Sequence, residues 1–218
     1  DQITLRHDAG SYPDFVFRNI ASGGYVWTGE GEESFTMIPE KSVMLADGGK
    51  KALPPENILS CVFLLSYGDF DYFSGGDIQY KDRSEYPYFD IEEPVSRVIK
   101  KVEAMKASHH CTSLANSAEL LDVARPDVVI ANVWRDVQPN GATLGRIIAS
   151  NPECEIFTTN LAPKNRSAIE SYKDRIRATQ GHFVLRVFPG GKQYMIYQLD
   201  DTDQSYRIVE MFGPYECK

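Results

Sequence analysis

The sequence predicts an α/β fold that continues into a C-terminal antiparallel β meander, and three observations support this. Short, continuous apolar runs bounded by turn residues are typical of strands inside a sheet. Between residues 94 and 178 such runs alternate with segments whose apolar residues have helical spacing, which favours helices packed on a sheet. The stretch 181–218 contains only strand-like segments separated by short turns, which indicates a meander.

The N-terminal part of the chain, residues 1–60, predicts short strands separated by loops. Alternating apolar and polar residues predict strands at 3–6, 15–20 and 25–28, and a pair of glycines joins the last two as a hairpin. The stretch 29–55 mixes Gly, Glu, Lys and Pro, which is typical of a loop. Within this loop the segment 42–45 predicts one short strand.

The central part of the chain alternates between strand and helix patterns. The run 61–67 is almost wholly apolar, as expected of a strand buried on both faces. Further strands are predicted at 70–73, 102–107, 127–132 and 155–158. Apolar residues three and four positions apart predict helices at 95–99, 116–124, 143–150 and 167–178.

The C-terminal part predicts three strands, at 181–188, 193–199 and 206–212. Their turns are Pro189-Gly190-Gly191 and the acidic stretch 200–203. This change of pattern divides the chain into a domain at 1–180 and a C-terminal β extension at 181–218.

Composition and charge exclude several classes of function. The net charge of −8 gives an acidic surface that repels phosphate backbones, so we expect no strong nonspecific binding of nucleic acids. No run of about 18 apolar residues is present, so we expect no membrane span. The four cysteines form no C-x-x-C pair, which disfavours a zinc site of the finger type.

Three polar residues at predicted strand ends are the candidates for chemistry. Asp77 follows Gly75-Gly76, and a carboxylate in such a turn suits either a cation or its own backbone. His109 and His110 are two of the four histidines, and imidazole is a common zinc ligand. On extended backbone neighbouring side chains point to opposite sides, so only one of them would bind a given ion. These residues alone fit two interpretations, a metal site and an ordinary pair of turns.

Four segments together resemble motifs of the metallo-β-lactamase superfamily, in the branch of the DNA-uptake competence proteins and phosphorylcholine esterases. They are NILSCVFLLSYG at 57–68, FSGGD at 73–77, ASHHCTS at 107–113 and RPDVVI at 125–130. The branch has an N-x-x-S strand, a T-G-D turn, an H-H-G-S turn and a P-x-x-x-(I/V) strand in this order. The resemblance covers residues 56–160, and it implies the C-terminal half of an αββα sandwich.

The resemblance also implies roles for the candidate residues. Asp77 matches the carboxylate that bridges two metal ions, and His110 matches the histidine that binds metal. His109 then lies close to the substrate as a catalytic residue. The implied cofactor is zinc, with two ions in the complete site, which activate water and polarise a phosphoryl or acyl oxygen. The implied substrate is a phosphodiester or a related small-molecule ester.

The chain departs from the family pattern at several positions. The motif His-x-His-x-Asp-His is absent, and His7 is the only histidine before His109. Cys111 replaces a glycine, and Gln138 stands where a histidine is common. Because a catalytic zinc needs about three protein ligands, we expect the isolated chain to be inactive unless a missing N-terminal half or a second chain supplies more. If the N-terminal half is missing, the inner face of the sheet, which would pack on that half, is expected to lack a partner. The alternative is a noncatalytic binding or structural module without metal.

Overall fold

The computed structural model describes residues 2–3, 9–80 and 86–218. In these ranges the chain is mixed α/β, with a ten-stranded mixed sheet and a separate three-stranded antiparallel sheet. The predicted α/β class and the predicted C-terminal meander are therefore confirmed. The more specific assignment, half of an αββα sandwich, stays a prediction, as does the division at residue 180.

The large sheet holds most of the strands and positions the candidate site. Its strands are β1 (Gln2–Ile3), β2 (Phe15–Ser22), β3 (Tyr25–Trp27), β4 (Ser34–Thr36), β5 (Val62–Tyr67), β6 (Phe70–Ser74), β7 (Ala104–Lys106), β8 (Val128–Ala131), β9 (Glu155–Thr158) and β10 (Ile176–Ala178). Their order is β10-β9-β8-β7-β6-β5-β2-β3-β4, with β1 paired to β2. Strands β6 to β10 run parallel, so the turns that follow β6, β7 and β8 meet at one edge.

Among the described residues, four α-helices accompany the sheet, and short 3₁₀ helices connect many of the elements. The α-helices are α1 (Lys41–Asp47), α2 (Glu92–Ser96), α3 (Ala118–Ala124) and α4 (Gly141–Ser150). The 3₁₀ helices are Ala9–Ser11, Gly49–Ala52, Glu56–Leu59, Pro87–Phe89, Ser108–Cys111, Pro163–Asn165 and Ser167–Arg175. Ser117 caps α3 and Asn140 caps α4 through their side-chain oxygens, which satisfies amide groups at the helix starts. Helix residues such as Leu121 and Leu144 belong to one core with Met105 of the sheet.

The other face of the sheet is covered by the three-stranded sheet of β11 (His182–Val187), β12 (Gln193–Leu199) and β13 (Ile208–Glu216). Phe70, Val128 and Phe157 share a second buried core with Tyr194 and Phe212. The Tyr194 hydroxyl also donates to the Glu103 carbonyl at 3.1 Å. The expectation that this face lacks a partner is therefore wrong over β6, β8 and β9, because the chain's own meander buries it.

Three local predictions differ from the structure. The segment 42–45 lies in α1, not in a strand, because a short apolar run has no period that separates the two. Only the first part of 167–178 is helical, and Ile176 pairs in parallel with Ile156. Strand β5 is half-buried after Val62, not buried on both faces. Among the described residues, no helix has the length and apolar character needed to cross a membrane.

Candidate functional site

The turn after β6 brings Asp77 to the sheet edge. Gly76 has a φ of +58°, and a Cβ at this position would lie 2.9 Å from the Cys61 carbonyl oxygen. Only glycine takes up this conformation in so little space without strain. The Asp77 amide donates to the Ser60 hydroxyl at 3.1 Å, so the turn is tied to the chain just before β5.

The histidine turn after β7 has an unusual backbone. His109, His110 and Cys111 have φ values of +44°, +56° and +58°, a left-handed conformation that non-glycine residues rarely adopt. The expectation of extended backbone with opposed side chains is therefore wrong. The two imidazole rings lie with their centroids 6.0 Å apart, so both reach the same cleft.

A buried carboxylate holds the end of this loop. Glu92 is 0% exposed, and it accepts hydrogen bonds from the amides of Asn116 at 2.7 Å and Ser117 at 2.6 Å. The Asn116 side chain in turn accepts from the Ser108 amide at 2.9 Å and donates to the Ser108 carbonyl at 3.1 Å. Burial raises the pKa of Glu92 to about 7. A chain of hydrogen bonds thus runs from α2 to the residue that precedes the two histidines.

Asp77 and His110 face each other across the site. The Oδ2 atom of Asp77 lies 3.5 Å from Nε2 of His110, and Nδ1 of His110 lies 2.6 Å from the Asn132 carbonyl oxygen. When Nδ1–H donates to that carbonyl, Nε2 of the neutral ring carries a lone pair directed at a carboxylate. Two acceptors at this distance repel unless a proton or another cation lies between them. Either a proton or a metal cation between these two atoms would remove the repulsion.

The spacing of these two atoms fits zinc as a partial ligand set. Ligands at ~2.0–2.2 Å in a tetrahedral site lie about 3.4 Å from each other, which agrees with the 3.5 Å observed. In the described part of the chain, no group of three or more His, Cys, Asp or Glu residues could hold a metal ion. His7, the one histidine before this region, lies outside the described residues. Asp77 and His110 are thus fewer than the three protein ligands that a catalytic zinc usually has.

His109 is held on both sides by amide groups. Its Nδ1 atom lies 2.5 Å from the Gln79 amide nitrogen, and its Nε2 atom lies 3.3 Å from that of Asn57. Burial lowers the pKa of His109, and the Asp77 carboxylate opposes this effect. His110, Lys106 and Arg135 lower the pKa further. The two amide contacts fix the orientation of the His109 ring beside Asp77 and His110.

Lys106 is a charged neighbour that the sequence did not mark as part of the site. Its ammonium group donates to the carbonyls of Gly76 at 2.7 Å and Ala107 at 3.2 Å. It also lies 3.7 Å from Oδ1 of Asp77, the oxygen that does not face His110. Burial lowers the pKa of Lys106 against the opposing attraction of Asp77. The lysine thus ties the two site turns together and partly neutralises the aspartate.

The site opens into a cleft of about 400 Å³. Its lining comprises Asp77, Gln79, His109, His110, Thr112, Ser113, Leu114, Trp134, Arg135 and Gln138. This volume is within the range of small-molecule pockets, about 300–1,000 Å³. The cleft therefore places polar, charged and aromatic groups around the Asp77–His110 pair.

Sequence reasoning found Asp77, His109 and His110 but missed most of what surrounds them. Asn57 is the first residue of the first segment that resembles the family. The sequence therefore did contain a signal that could have predicted a role for Asn57. Glu92 had no signal of its own, because nothing in its local pattern marks a buried carboxylate. Compared with protein-family models, curated proteins and solved structures, the chain matches none. The functional assignment therefore depends on the geometry of the site and on the resemblance in sequence.

Proposed function

We propose that this chain is the C-terminal part of a metal-dependent hydrolase of the metallo-β-lactamase superfamily, acting on phosphodiester or related ester bonds. The observation that carries the proposal is the 3.5 Å separation of Asp77 Oδ2 and His110 Nε2, with Nδ1 of His110 held at 2.6 Å from the Asn132 carbonyl oxygen. Histidines that bind metal commonly have their second ring nitrogen fixed in this way. The remaining ligands come from a preceding segment or from a second chain.

Each residue has a definite part in this proposal. Asp77 and His110 would hold a zinc ion, which when bound would polarise a phosphoryl oxygen and activate water. His109, fixed by Gln79 and Asn57, presents its ring to the substrate side of the cleft. Arg135 lines the same cleft and supplies positive charge for a phosphate group.

Metal binding by single-residue variants tests the proposal. We expect Asp77→Asn and His110→Ala each to lower the affinity for Co²⁺ or Zn²⁺ by at least about tenfold, because each removes one of two ligands. His182→Ala is the matched control, since His182 is an exposed histidine on β11. Affinities are measured by calorimetry and by the visible absorption of bound Co²⁺.

The same measurement extends to the chain joined to its upstream genomic segment. We expect the joined protein to retain zinc after purification and to hydrolyse bis(p-nitrophenyl) phosphate, with both properties lost in the His110→Ala variant. Equal and negligible zinc in the chain alone and in the joined protein would contradict the proposal.

A second candidate is a binding module without metal, and Lys106 favours it. The lysine ammonium 3.7 Å from Oδ1 of Asp77 already provides a cation to this carboxylate. On this alternative, Asp77 and His110 form an ion pair and the cleft binds a small anion. Negligible metal in both proteins, together with measurable phosphate binding, would favour this second candidate.

A further inference from the structure

The rim of the cleft carries an exposed aromatic residue beside a cation. The Trp134 side chain is 69% exposed, on the loop that follows β8. The guanidinium carbon of Arg135 lies 5.8 Å from the centroid of the Trp134 ring. Leu114, which is 50% exposed, lines the same cleft. An apolar and aromatic rim thus borders the polar Asp77–His110 pair.

The backbone beneath Trp134 is fixed. Gln138 is 2% exposed, and its Oε1 atom accepts from the amides of Trp134 at 3.4 Å and Arg135 at 3.2 Å. On the preceding side, the Val133 amide donates to the Thr159 hydroxyl at 2.9 Å, and that hydroxyl donates back to the Val133 carbonyl at 3.2 Å. A loop held on both sides presents its indole with little loss of conformational entropy on binding.

Arg135 is available to an anion. Within the described part of the chain its guanidinium forms no ion pair, and Arg135 lines the same cleft as Asp77, His109 and His110. An anionic group in the cleft would therefore meet Arg135 on one side and the Asp77–His110 pair on the other. The cleft volume of about 400 Å³ accommodates a phosphate with one ring attached.

We infer that Trp134 and Arg135 form a subsite for aromatic phosphoesters, such as aryl or nucleobase-bearing esters. The aromatic group stacks on the indole, and the phosphate lies against the guanidinium next to Asp77 and His110. This inference rests on the proposed function for the identity of the reacting group. The stacking itself requires no metal and can be measured separately.

The two tryptophans of the chain make the experiment internally controlled. In NMR spectra of the ¹⁵N-labelled protein, the indole Nε1–H signals report on each tryptophan separately. A Trp27→Phe variant assigns the two signals. Trp27 is a matched control because it also has an arginine over its ring. The guanidinium carbon of Arg18 lies 4.3 Å from the centroid of the Trp27 ring. Its indole N–H donates to the Gly31 carbonyl at 3.0 Å. The ligands are phenyl phosphate, cyclohexyl phosphate and inorganic phosphate, each titrated with and without Zn²⁺.

We expect phenyl phosphate to shift the Trp134 signal and to leave the Trp27 signal unchanged. Phenyl phosphate should bind about three- to tenfold more tightly than cyclohexyl phosphate, which has similar size and charge but no aromatic face. By calorimetry, Trp134→Leu should remove this preference and Trp134→Phe should keep most of it. Since Trp134 is exposed, neither substitution affects the core.

The outcomes separate this inference from the proposed function. A Trp134 shift in the absence of Zn²⁺, or only in its presence, supports the subsite. Equal affinity for phenyl and cyclohexyl phosphate, or no Trp134 shift under either condition, overturns it. If Asp77→Asn and His110→Ala leave metal affinity unchanged while Trp134 still responds to phenyl phosphate, the hydrolase proposal fails and the subsite stands.

Discussion

Two carboxylates flank the histidine turn, and their surroundings differ sharply. Glu92 is wholly buried, and its two oxygens accept short hydrogen bonds from the amides of Asn116 and Ser117. The Asp77 side chain is 33% exposed, with its oxygens 3.5 Å from a ring nitrogen of His110 and 3.7 Å from the ammonium of Lys106. Each oxygen of Glu92 is therefore engaged by a buried backbone amide, whereas Asp77 is partly exposed and keeps capacity for a further partner.

The contrast distinguishes a carboxylate that stabilises the fold from a nearby carboxylate that is a candidate ligand. A buried carboxylate with short bonds to backbone amides stabilises the fold, because removing it leaves those amides without acceptors. A partly exposed carboxylate beside a ring nitrogen and a cation contributes little to stability. We therefore expect substitutions of Glu92 to affect unfolding and substitutions near Asp77 to affect ligand affinity.

The largest expected effect is on the stability of a Glu92→Ala variant. The substitution leaves two buried amides unsatisfied, at ~1–3 kcal/mol each, so we expect the free energy of unfolding to fall by about 4 kcal/mol. Urea denaturation followed by circular dichroism measures the change. Asp77→Asn is the control and should change the free energy by less than about 1 kcal/mol. Similar losses in the two variants would remove the distinction between these carboxylates.

A somewhat smaller effect is expected from pH. Folding raises the pKa of Glu92 from 4.5 to about 7, so the folded state holds this proton more tightly than the unfolded state. The resulting stabilisation is complete below pH 4.5 and is lost as the pH rises through 7, up to about 3 kcal/mol. The measurement is the difference in unfolding free energy between the natural protein and Glu92→Gln across this range. A difference that stays constant with pH would show that folding does not shift the pKa of Glu92.

The smallest expected effect concerns Lys106 and sharpens the description of Asp77. Lys106→Met removes a positive charge from one side of the carboxylate, so we expect the affinity for Co²⁺ to rise about tenfold. Stability should fall by about 1 kcal/mol through the lost bonds to Gly76 and Ala107. Lys164→Met is the matched control, since Lys164 lies 3.7 Å from Asp136 on the surface. Unchanged Co²⁺ affinity in Lys106→Met would show that the lysine does not oppose cation binding.

The sequence was sufficient to predict the strands and helices whose apolar pattern is local. The strands at β2, β6, β8 and β9, the helices α3 and α4, and the meander all follow from apolar spacing and turn residues. The pattern also placed Asp77 and the two histidines at strand ends, because turn residues follow each apolar run.

The remaining features depend on contacts between distant residues. The left-handed turn at His109–Cys111 has no glycine to signal it, and Asn116 and Glu92 secure it from other parts of the chain. Lys106 is the last residue of β7, and nothing in the sequence around it distinguishes it from a surface lysine. Only the parallel pairing of β6 with β7 brings it beside Gly76. The cover over the inner sheet face was missed because apolar alternation in the meander does not identify the surface on which it packs.

The packing of the meander on the large sheet has a consequence for folding kinetics. Phe70 and Val128 reach their burial only when Tyr194 and Phe212, far along the chain, have docked. Contacts of such high sequence separation slow folding, and until they form they leave apolar strands open to aggregation. We therefore expect the meander to dock late, after the helices have already closed the opposite face of the sheet.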